Sequence, residues 1–437
     1  MNTCVLKDLI EISKDGEWGK GESFDDSVEM LAIRGTDFED ARFGVLDSVP
    51  RRHVIKRIAD RKTLRPWDVL IEAAGGTKGQ ITGRTVILRP QLFDRSALPI
   101  TCASFSRFIR FRNDVCDPEF MFWYLQYLYG AGFMHAYHTQ HTGVSRFQWT
   151  IFSEREPLVL PSLAAQRRIA STLSVYDELI ANNQQRIRIL EEMARALHRQ
   201  WFIDFRLPGG DKVDLSMPPN RCVPQDWEAI PFHKLLVSMK GGDWGSDVPT
   251  KEEAAEVGIV RGTDFNEVAY GAELRVPIRY IKASSLKSRM LEVGDVIVEN
   301  SVNAKSRCIG TPLLMDEHVL RRLGRDAVAA SFCKVFRFRE SKLGPLAYLH
   351  LRHLRESKRM ERYQNVATNG IGNFQSKKFA QEEHLALPKV VALRAKLLVR
   401  IASPLIEVSM LASQIANLRR TRDLLLPRLL ARPALSA

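Results

Sequence analysis

The chain repeats itself, and this duplication constrains the fold more than any other feature of the sequence. Residues 33–38 (IRGTDF) return as residues 260–265 (VRGTDF), an offset of 260 − 33 = 227 positions. The same offset relates residues 105–112 (FSRFIRFR) to residues 332–339 (FCKVFRFR). Solenoid repeats are much shorter, about 20–45 residues. The sequence therefore predicts two copies of one domain of about 200 residues.

Each copy has the pattern of a mixed α/β domain. Short apolar runs at 69–72 and 86–88 flank the glycine-rich turn 75–79 and predict two strands. Residues 105–111 alternate apolar and basic side chains, as a half-buried strand does. Residues 118–129 predict a helix, because a proline stands at its start.

A long helical segment follows each copy, at about 163–205 and 389–431. Both carry apolar residues at heptad spacing, interrupted by Asn183 and Arg422. We expect Pro404 to break or start a helix, with Ser403 as its N-cap. The two seams can pair with each other, or each helix can pack on its own domain. The seam residues are Ile180, Ile187, Leu190 and Leu197 in the first segment, and Val408, Leu411, Ile415, Leu418 and Leu425 in the second.

The chain is basic, with 64 Lys and Arg against 51 Asp and Glu and a net charge of +13. This charge favours a polyanionic partner, most often nucleic acid, although a basic protein without such a partner is the alternative. The six cysteines form no C-x-x-C pair, which argues against a thiolate zinc site. We find no secretory signal and no apolar run of about 20 residues, so a cytoplasmic protein without membrane contact is expected.

Catalytic motifs are weak. The chain has no phosphate-binding loop and no motif of the amino-group DNA methyltransferases. Two E-x-K triplets, at 340–342 and 356–358, fit a metal-dependent nuclease, but neither has a counterpart in the first copy. His135, His138 and His141 are spaced like metal ligands or like one face of a helix end. We expect no catalytic residue and no metal site, with a single-chain nuclease as the alternative.

Basic and amide side chains lie on loops at equivalent places in both copies. Arg, Asn, Gln and Ser can read base edges, whereas Lys and Arg neutralise phosphates. The pairs Arg34–Asp37 and Arg261–Asp264 are interpreted as structural ion pairs, and Trp18 and Trp244 as core residues. The candidate DNA-binding residues are Lys78, Gln80, Arg84, Ser145 and Arg146 in the first copy, and Asn303, Lys305, Arg307, Asn373 and Lys377 in the second.

Two segments carry a resemblance to a known family. Residues 160–170 (LPSLAAQRRIA) resemble the L-P-P-L-x-E-Q-x-x-I-A motif of the specificity subunits of type I restriction–modification enzymes, with Ser162 and Ala165 as departures. Residues 418–430 (LRRTRDLLLPRLL) are similar to the end of that family. The second copy departs more, because residues 388–390 (PKV) lack the Gln-Arg run.

The resemblance implies an α+β fold in which two target-recognition domains are joined by two long antiparallel helices with pseudo-two-fold symmetry. It places the domains at 1–160 and 227–388, the helical spacers at 161–206 and 389–437, and a proline-rich connector at 207–226. It also implies a non-catalytic subunit that reads a bipartite site in double-stranded DNA. Two methylation subunits and a restriction/translocase subunit would be its partners, and S-adenosylmethionine, Mg and ATP would bind to them. A helical interaction scaffold that does not bind DNA is the remaining alternative.

Overall fold

The computed structural model describes residues 2–75, 81–141, 144–207, 223–271, 275–303, 309–366 and 371–431. The chain divides into two compact units. The first contains residues 1–181 and 418–437, and the second contains residues 182–417. Most of the predicted connector, 208–222, lies outside the described residues.

The first copy and its long helix contain the following strands and helices in chain order: β1 (Asn2–Val5), β2 (Ile10–Asp15), β3 (Ser27–Ile33), α1 (Phe38–Arg42), β4 (Arg51–Ile55), α2 (Lys56–Lys62), β5 (Val69–Glu72), β6 (Ala74–Gly75), β7 (Thr85–Ile87), α3 (Pro90–Asp94), β8 (Ile100–Cys102), β9 (Ser106–Phe111), α4 (Pro118–Gly130), β10 (His138–His141), β11 (Val144–Phe147), α5 (Trp149–Arg155), β12 (Pro157–Leu160) and α6 (Leu163–His198).

Four sheets form among the described residues of this copy. The largest is antiparallel, with strand order β2-β9-β5-β7. A second has the order β4-β3-β8, in which β3 and β8 run parallel. Strands β10, β11 and β6 form a small antiparallel sheet, and β1 pairs with β12. The predicted strands correspond to β5, β7 and β9, and the predicted helix to α4, whose N-cap Asp117 accepts a hydrogen bond from the Phe120 N–H at 2.8 Å.

The second copy and its long helix continue the chain: β13 (Trp227–Pro231), α7 (Phe232–Leu235), β14 (Leu236–Gly241), β15 (Ala255–Val260), α8 (Phe265–Tyr270), β16 (Ile278–Ile281), α9 (Ala283–Arg289), β17 (Val296–Glu299), β18 (Ser301–Asn303), β19 (Pro312–Leu314), α10 (Glu317–Leu323), β20 (Ala327–Ala329), β21 (Cys333–Phe338), α11 (Gly344–Glu356), β22 (Gln364–Val366), β23 (Ile371–Phe374), α12 (Ser376–Glu382), β24 (His384–Pro388) and α13 (Val391–Leu430).

Every strand pairing of the first copy returns in the second. The sheets have the orders β14-β21-β17-β19, β16-β15-β20, β18-β23-β22 and β13-β24, and β15 again runs parallel to β20. The predicted duplication is therefore confirmed at the level of topology.

One tight turn shows why the repeated glycines are needed. Gly19 and Gly245 both have φ of +62°, and a Cβ on either would lie within 2.4 Å of the carbonyl oxygen of His53 or Tyr280. The tryptophans before these glycines were expected in the core, and this expectation is wrong. Trp18 and Trp244 are 38% and 37% exposed, because each ring lies on the surface under an arginine guanidinium.

The long helices α6 and α13 begin and end close to the predicted limits. Pro404 does not break α13, which is a correction to the prediction. Apolar residues on both sides of the proline, among them Ile401 and Leu405, are buried in the core of the second unit. This packing outweighs the lost backbone hydrogen bond. Ser403 is not an N-cap, because its hydroxyl donates to the Val399 carbonyl one turn earlier at 2.9 Å.

Each unit contains one copy and a part of both long helices. In the first unit, Leu173 of α6 and Leu430 of α13 pack into the core around α4. In the second unit, Asn183 of α6 donates to Gln414 of α13 at 3.3 Å, and Arg186 contacts Glu407 at 3.1 Å. These contacts run antiparallel. The helices thus pair with each other and also pack on the domains, so the two alternatives are not exclusive. None of the nine seam residues is exposed.

Candidate nucleic-acid interface

The small three-stranded sheet of each copy carries two of the candidate DNA-binding residues, Ser145 and Arg146 in the first copy and Asn303 and Asn373 in the second. In the first copy, Ser145 lies opposite Gly75 and Arg146 opposite Ala74. In the second, Asn373 lies opposite Ser301. Successive side chains of a strand point to opposite faces of its sheet. One face of each small sheet is exposed to solvent.

The exposed face of each small sheet combines apolar and polar side chains. Val144 and Arg146 are exposed on β11, and Ile371 and Asn373 are exposed at the equivalent positions of β23. The Ser301 hydroxyl donates to Asn373 Oδ1 at 2.7 Å, which fixes the orientation of that amide. Such side chains match the hydrogen-bonding groups and methyl groups at base edges.

The other candidates are distributed as follows. Ser145 is only 7% exposed and faces inward, whereas Lys377 is exposed on the first turn of α12. Asn303 belongs to β18, but its side chain is not described. Four candidates lie outside the described residues: Lys78, Gln80, Lys305 and Arg307.

Arg84 has partners within the protein. Its Nε and Nη2 donate to the two carboxylate oxygens of Glu72 at 2.9 and 2.8 Å, and Nη2 also reaches the Gly35 carbonyl at 3.2 Å. The hydrogen bond to Glu72 raises the pKa of the Arg84 guanidinium. Two of its three nitrogens therefore hold the fold together, and a DNA contact by Arg84 stays a prediction.

The repeated Arg-Gly-Thr-Asp turns are structural, as expected. Asp37 is 1% exposed and accepts from the Arg34 backbone N–H, Nε and Nη2 at 2.8–2.9 Å. Asp264 and Arg261 repeat this arrangement in the second unit. The bidentate pair closes the turn between a strand and the following short helix.

The candidates for catalysis are not assembled into a site in the described part of the chain. Glu340 and Lys342 are both exposed, and Glu356 lies 3.7 Å from Arg195. His138 Nδ1 lies 3.2 Å from the Thr82 backbone nitrogen. Among the described residues, no three His, Cys, Asp or Glu side chains are placed to hold a metal ion.

The first unit contains a buried cluster of charged side chains. The sequence singles out one member, Arg422, as an interruption of the apolar seam, but it does not predict the cluster. Asp177 on α6 is 1% exposed and receives hydrogen bonds from Arg42 of α1 at 2.8 Å and from Arg422 of α13 at 2.7 Å. Arg89 approaches at 3.4 Å. Burial alone would raise the pKa of Asp177, but the arginines outweigh it and the pKa is lowered. The cluster joins the first copy to both long helices.

In the second unit, other residues attach the second copy to the long helices. Glu191 of α6 accepts a hydrogen bond from the Tyr270 hydroxyl at 2.6 Å and from Arg352 of α11 at 2.8 Å. Arg322 of α10 donates to the Ser409 carbonyl and the Ser413 hydroxyl of α13, both at 2.8 Å. Each copy is thus attached to its part of the helices by buried or half-buried polar contacts.

Among the described residues, none of the helices combines the length and apolar character needed to span a membrane.

Comparison with known proteins identifies a relative of part of the chain. A type I restriction enzyme MjaIX specificity subunit from Methanocaldococcus jannaschii is 31% identical over 157 residues. This match covers 35% of the present chain and 35% of that relative. No protein-family model matches the chain.

A solved structure shows the same fold over nearly the whole length of the chain. The crystal structure of a type I restriction-modification system S subunit from M. genitalium aligns with 98% of this chain and 95% of its own, with a TM-score of 0.55 and 15% identity. The HsdS subunit from Thermoanaerobacter tengcongensis aligns with 98% of this chain and 95% of its own, with a TM-score of 0.31 and 14% identity. The resemblance found in the sequence is therefore confirmed, and the chain has the α+β fold of the type I restriction–modification specificity subunits.

Proposed function

We propose that this chain is the DNA-specificity subunit of a type I restriction–modification complex. Residues 1–160 and 227–388 are the two target-recognition domains, and each reads one half of a bipartite site in double-stranded DNA. The observation that carries this proposal is the duplicated small sheet, which offers reading side chains at equivalent positions of both units.

The two reading surfaces are alike in architecture but different in chemistry. The first presents Arg146, which suits the acceptors of guanine. The second presents Asn373 at the equivalent sheet position, which suits adenine. A shared scaffold with different side chains supports two half-sites of different sequence. The net charge of +13 supplies the attraction to phosphates that such binding requires.

The long helices supply the surface for protein partners. Apolar side chains that do not face the helix seam are exposed on both helices, for example Ile189 at 55%, Met193 at 50% and Val399 at 59%. Exposed apolar groups of this kind are typical of surfaces that another subunit covers. We propose that two methylation subunits dock there and that a restriction/translocase subunit joins them. Catalysis, S-adenosylmethionine, Mg and ATP belong to those partners, and the complex works in the cytoplasm.

The test is to express the chain with an adenine methyltransferase subunit encoded beside it and to sequence the methylated bases of the host DNA. We expect a split motif with a fixed spacer that disappears when this chain is deleted. The purified chain should also bind duplex DNA with an affinity that falls steeply with salt.

Two outcomes would contradict the proposal. The absence of any motif, together with no DNA binding at low salt, would favour a helical scaffold. Metal-dependent cleavage by the purified chain that is lost in Glu340→Ala would favour a nuclease.

A further inference from the structure

A short turn with an exposed phenylalanine occurs in both copies. Residues 103–105 and 330–332 share the sequence Ala-Ser-Phe, at the same offset of 227 positions. The backbone N–H of the residue after each phenylalanine, Ser106 or Cys333, donates to the alanine carbonyl at 2.8 or 2.9 Å. Each turn is therefore a closed β-turn that leads into β9 or β21.

Both aromatic rings are directed into solvent. Phe105 and Phe332 are each 64% exposed, the highest values among the described phenylalanines. A single exposed apolar residue needs no explanation. Equal exposure at both duplicated positions calls for an explanation, because burying a phenylalanine side chain stabilises a protein by about 1.5–3 kcal/mol.

The turns hold the rings in a fixed place. The Phe105 carbonyl accepts hydrogen bonds from the backbone N–H groups of Ala73 and Ala74 at 2.8 and 3.0 Å. A glycine, Gly16 or Gly242, packs against each turn so closely that a Cβ would lie 2.0–2.1 Å from a backbone oxygen. A side chain on such an anchored backbone loses little freedom when it binds.

The backbone of each turn is also hydrogen-bonded beside the small sheet of its own unit. Ala74, which is bonded to Phe105, stands opposite Arg146 in the small sheet. The Phe332 carbonyl accepts from Asn300 at 2.8 Å, and Asn300 directly precedes Ser301, the partner of Asn373. In both copies the phenylalanine backbone is therefore hydrogen-bonded next to the strand that pairs with the strand of Arg146 or Asn373.

We propose that Phe105 and Phe332 are DNA contacts, each of which places its ring against the bases of one half-site. This inference rests on the proposed function. An aromatic ring next to basic and amide side chains is the combination that nucleic acids bind, through stacking on a base or contact with a thymine methyl group. Arg146 on β11 and Lys377, four residues after Asn373, are exposed and add positive charge. This positive charge favours DNA over a protein partner as the occupant.

The test uses the full chain and a labelled duplex that carries the bipartite motif. Phe105→Ala and Phe332→Ala should each weaken binding about 5- to 150-fold, the effect of losing one aromatic–base contact of about 1–3 kcal/mol. Phe105→Trp should retain most of the affinity. The melting temperatures should stay close to that of the wild type, because both rings are exposed.

Val237→Ala is the matched control. Val237 is 62% exposed and lies beside β21 at the end opposite to Phe332, so its loss should leave DNA affinity unchanged. Duplexes with one scrambled half-site localise the effect. The loss of affinity caused by Phe105→Ala should vanish on a duplex in which the half-site read by the first copy is scrambled. The loss of affinity caused by Phe332→Ala should persist on that duplex.

The outcomes separate this inference from the proposed function. If the wild type binds its motif and both alanine variants bind equally well, the phenylalanines are not DNA contacts. Loss of co-purification with the methylation subunit at unchanged DNA affinity would make the turns a protein-binding surface and would also overturn the inference. If the wild type itself fails to bind DNA, the proposed function fails with it.

Discussion

Asp177 shows how one buried carboxylate can hold the first copy on the long helices. It has hydrogen bonds to Arg42 and Arg422, whose side chains are 8% and 10% exposed. A buried ion pair contributes little net stability compared with an apolar replacement, but the removal of one partner leaves an uncompensated charge. The cluster therefore makes the attachment specific and sensitive to substitution.

Replacement of Asp177 by Ala should lower the free energy of unfolding of the first unit by about 3–5 kcal/mol, because the buried Arg42 would lose its paired carboxylate and Arg422 would keep only the exposed Asp423. Chemical denaturation followed by fluorescence measures this loss. Asp423→Asn is the control, since Asp423 contacts the same Arg422 at 2.9 Å but is 60% exposed. Its effect should not exceed about 1 kcal/mol. Equal effects of the two substitutions would contradict the role given to burial.

Single residues were predictable where their partners are close in sequence. Arg34 and Asp37 are three positions apart, so their pairing could be expected from the repeat itself. Arg422 stood out as a charge in an apolar seam, but its partner Asp177 lies 245 positions away. Nothing in the local sequence relates them. Trp18 was misassigned because the arginine that covers its ring, Arg52, comes from another strand.

At the scale of elements, the end of α6 meets α11 through three histidines. His198 is 2% exposed, and its Nε2 has no hydrogen-bond partner among the described residues. Its ring lies 5.8 Å from those of both His350 and His353, and 6.1 Å from that of Phe202. Burial, with the neighbouring histidines and Arg199, lowers the pKa of His198 well below its ordinary value. Burial also lowers the pKa of His353.

This packing makes the second unit sensitive to acid. Because the folded pKa lies below the unfolded one, the unfolded chain takes up a proton first as the pH falls below about 6.5. His198 alone should then reduce the free energy of unfolding by up to about 1.4 kcal/mol per pH unit, until its folded pKa is reached. Denaturation between pH 7.5 and 5.5 measures this slope.

His198→Phe should make the slope shallower, since phenylalanine keeps the stacking on Phe202 but cannot take up a proton. His384→Phe is the control, because the exposed His384 is not part of the buried cluster. An unchanged slope in His198→Phe would show that the acid sensitivity has another origin.

Long and periodic elements could be predicted, whereas short strands could not. The limits of α6 and α13 followed from heptad patterns over many turns, and β5 and β9 from continuous or alternating apolar runs. Strand β6 contains only Ala74 and Gly75, and it exists because β11 pairs with it from far along the chain. The small sheet that carries the proposed site could therefore not be predicted from local sequence patterns. Pro404 was misjudged for a similar reason, because tertiary packing maintains the helix.

At the scale of the whole molecule, duplication allows the two copies to change independently. Each copy has a complete set of sheets and its own buried core, and its reading residues do not depend on the sequence of the other. Substitutions on one reading sheet should therefore alter one half of the DNA target and leave the other half as it was.

Arg146→Ala and Asn373→Ala test this independence in the methylation complex. We expect each variant to relax the methylated motif in one half only, and in different halves, with a loss of about 1–3 kcal/mol of discrimination at the affected base pair. Lys377→Ala is the matched control, since an exposed lysine that neutralises a phosphate should weaken binding to all sequences and make the salt dependence less steep. Methylome sequencing reads the motifs directly. A single substitution that relaxed both halves of the motif would contradict this independence. It would mean that a side chain of one copy also affects the half-site assigned to the other copy.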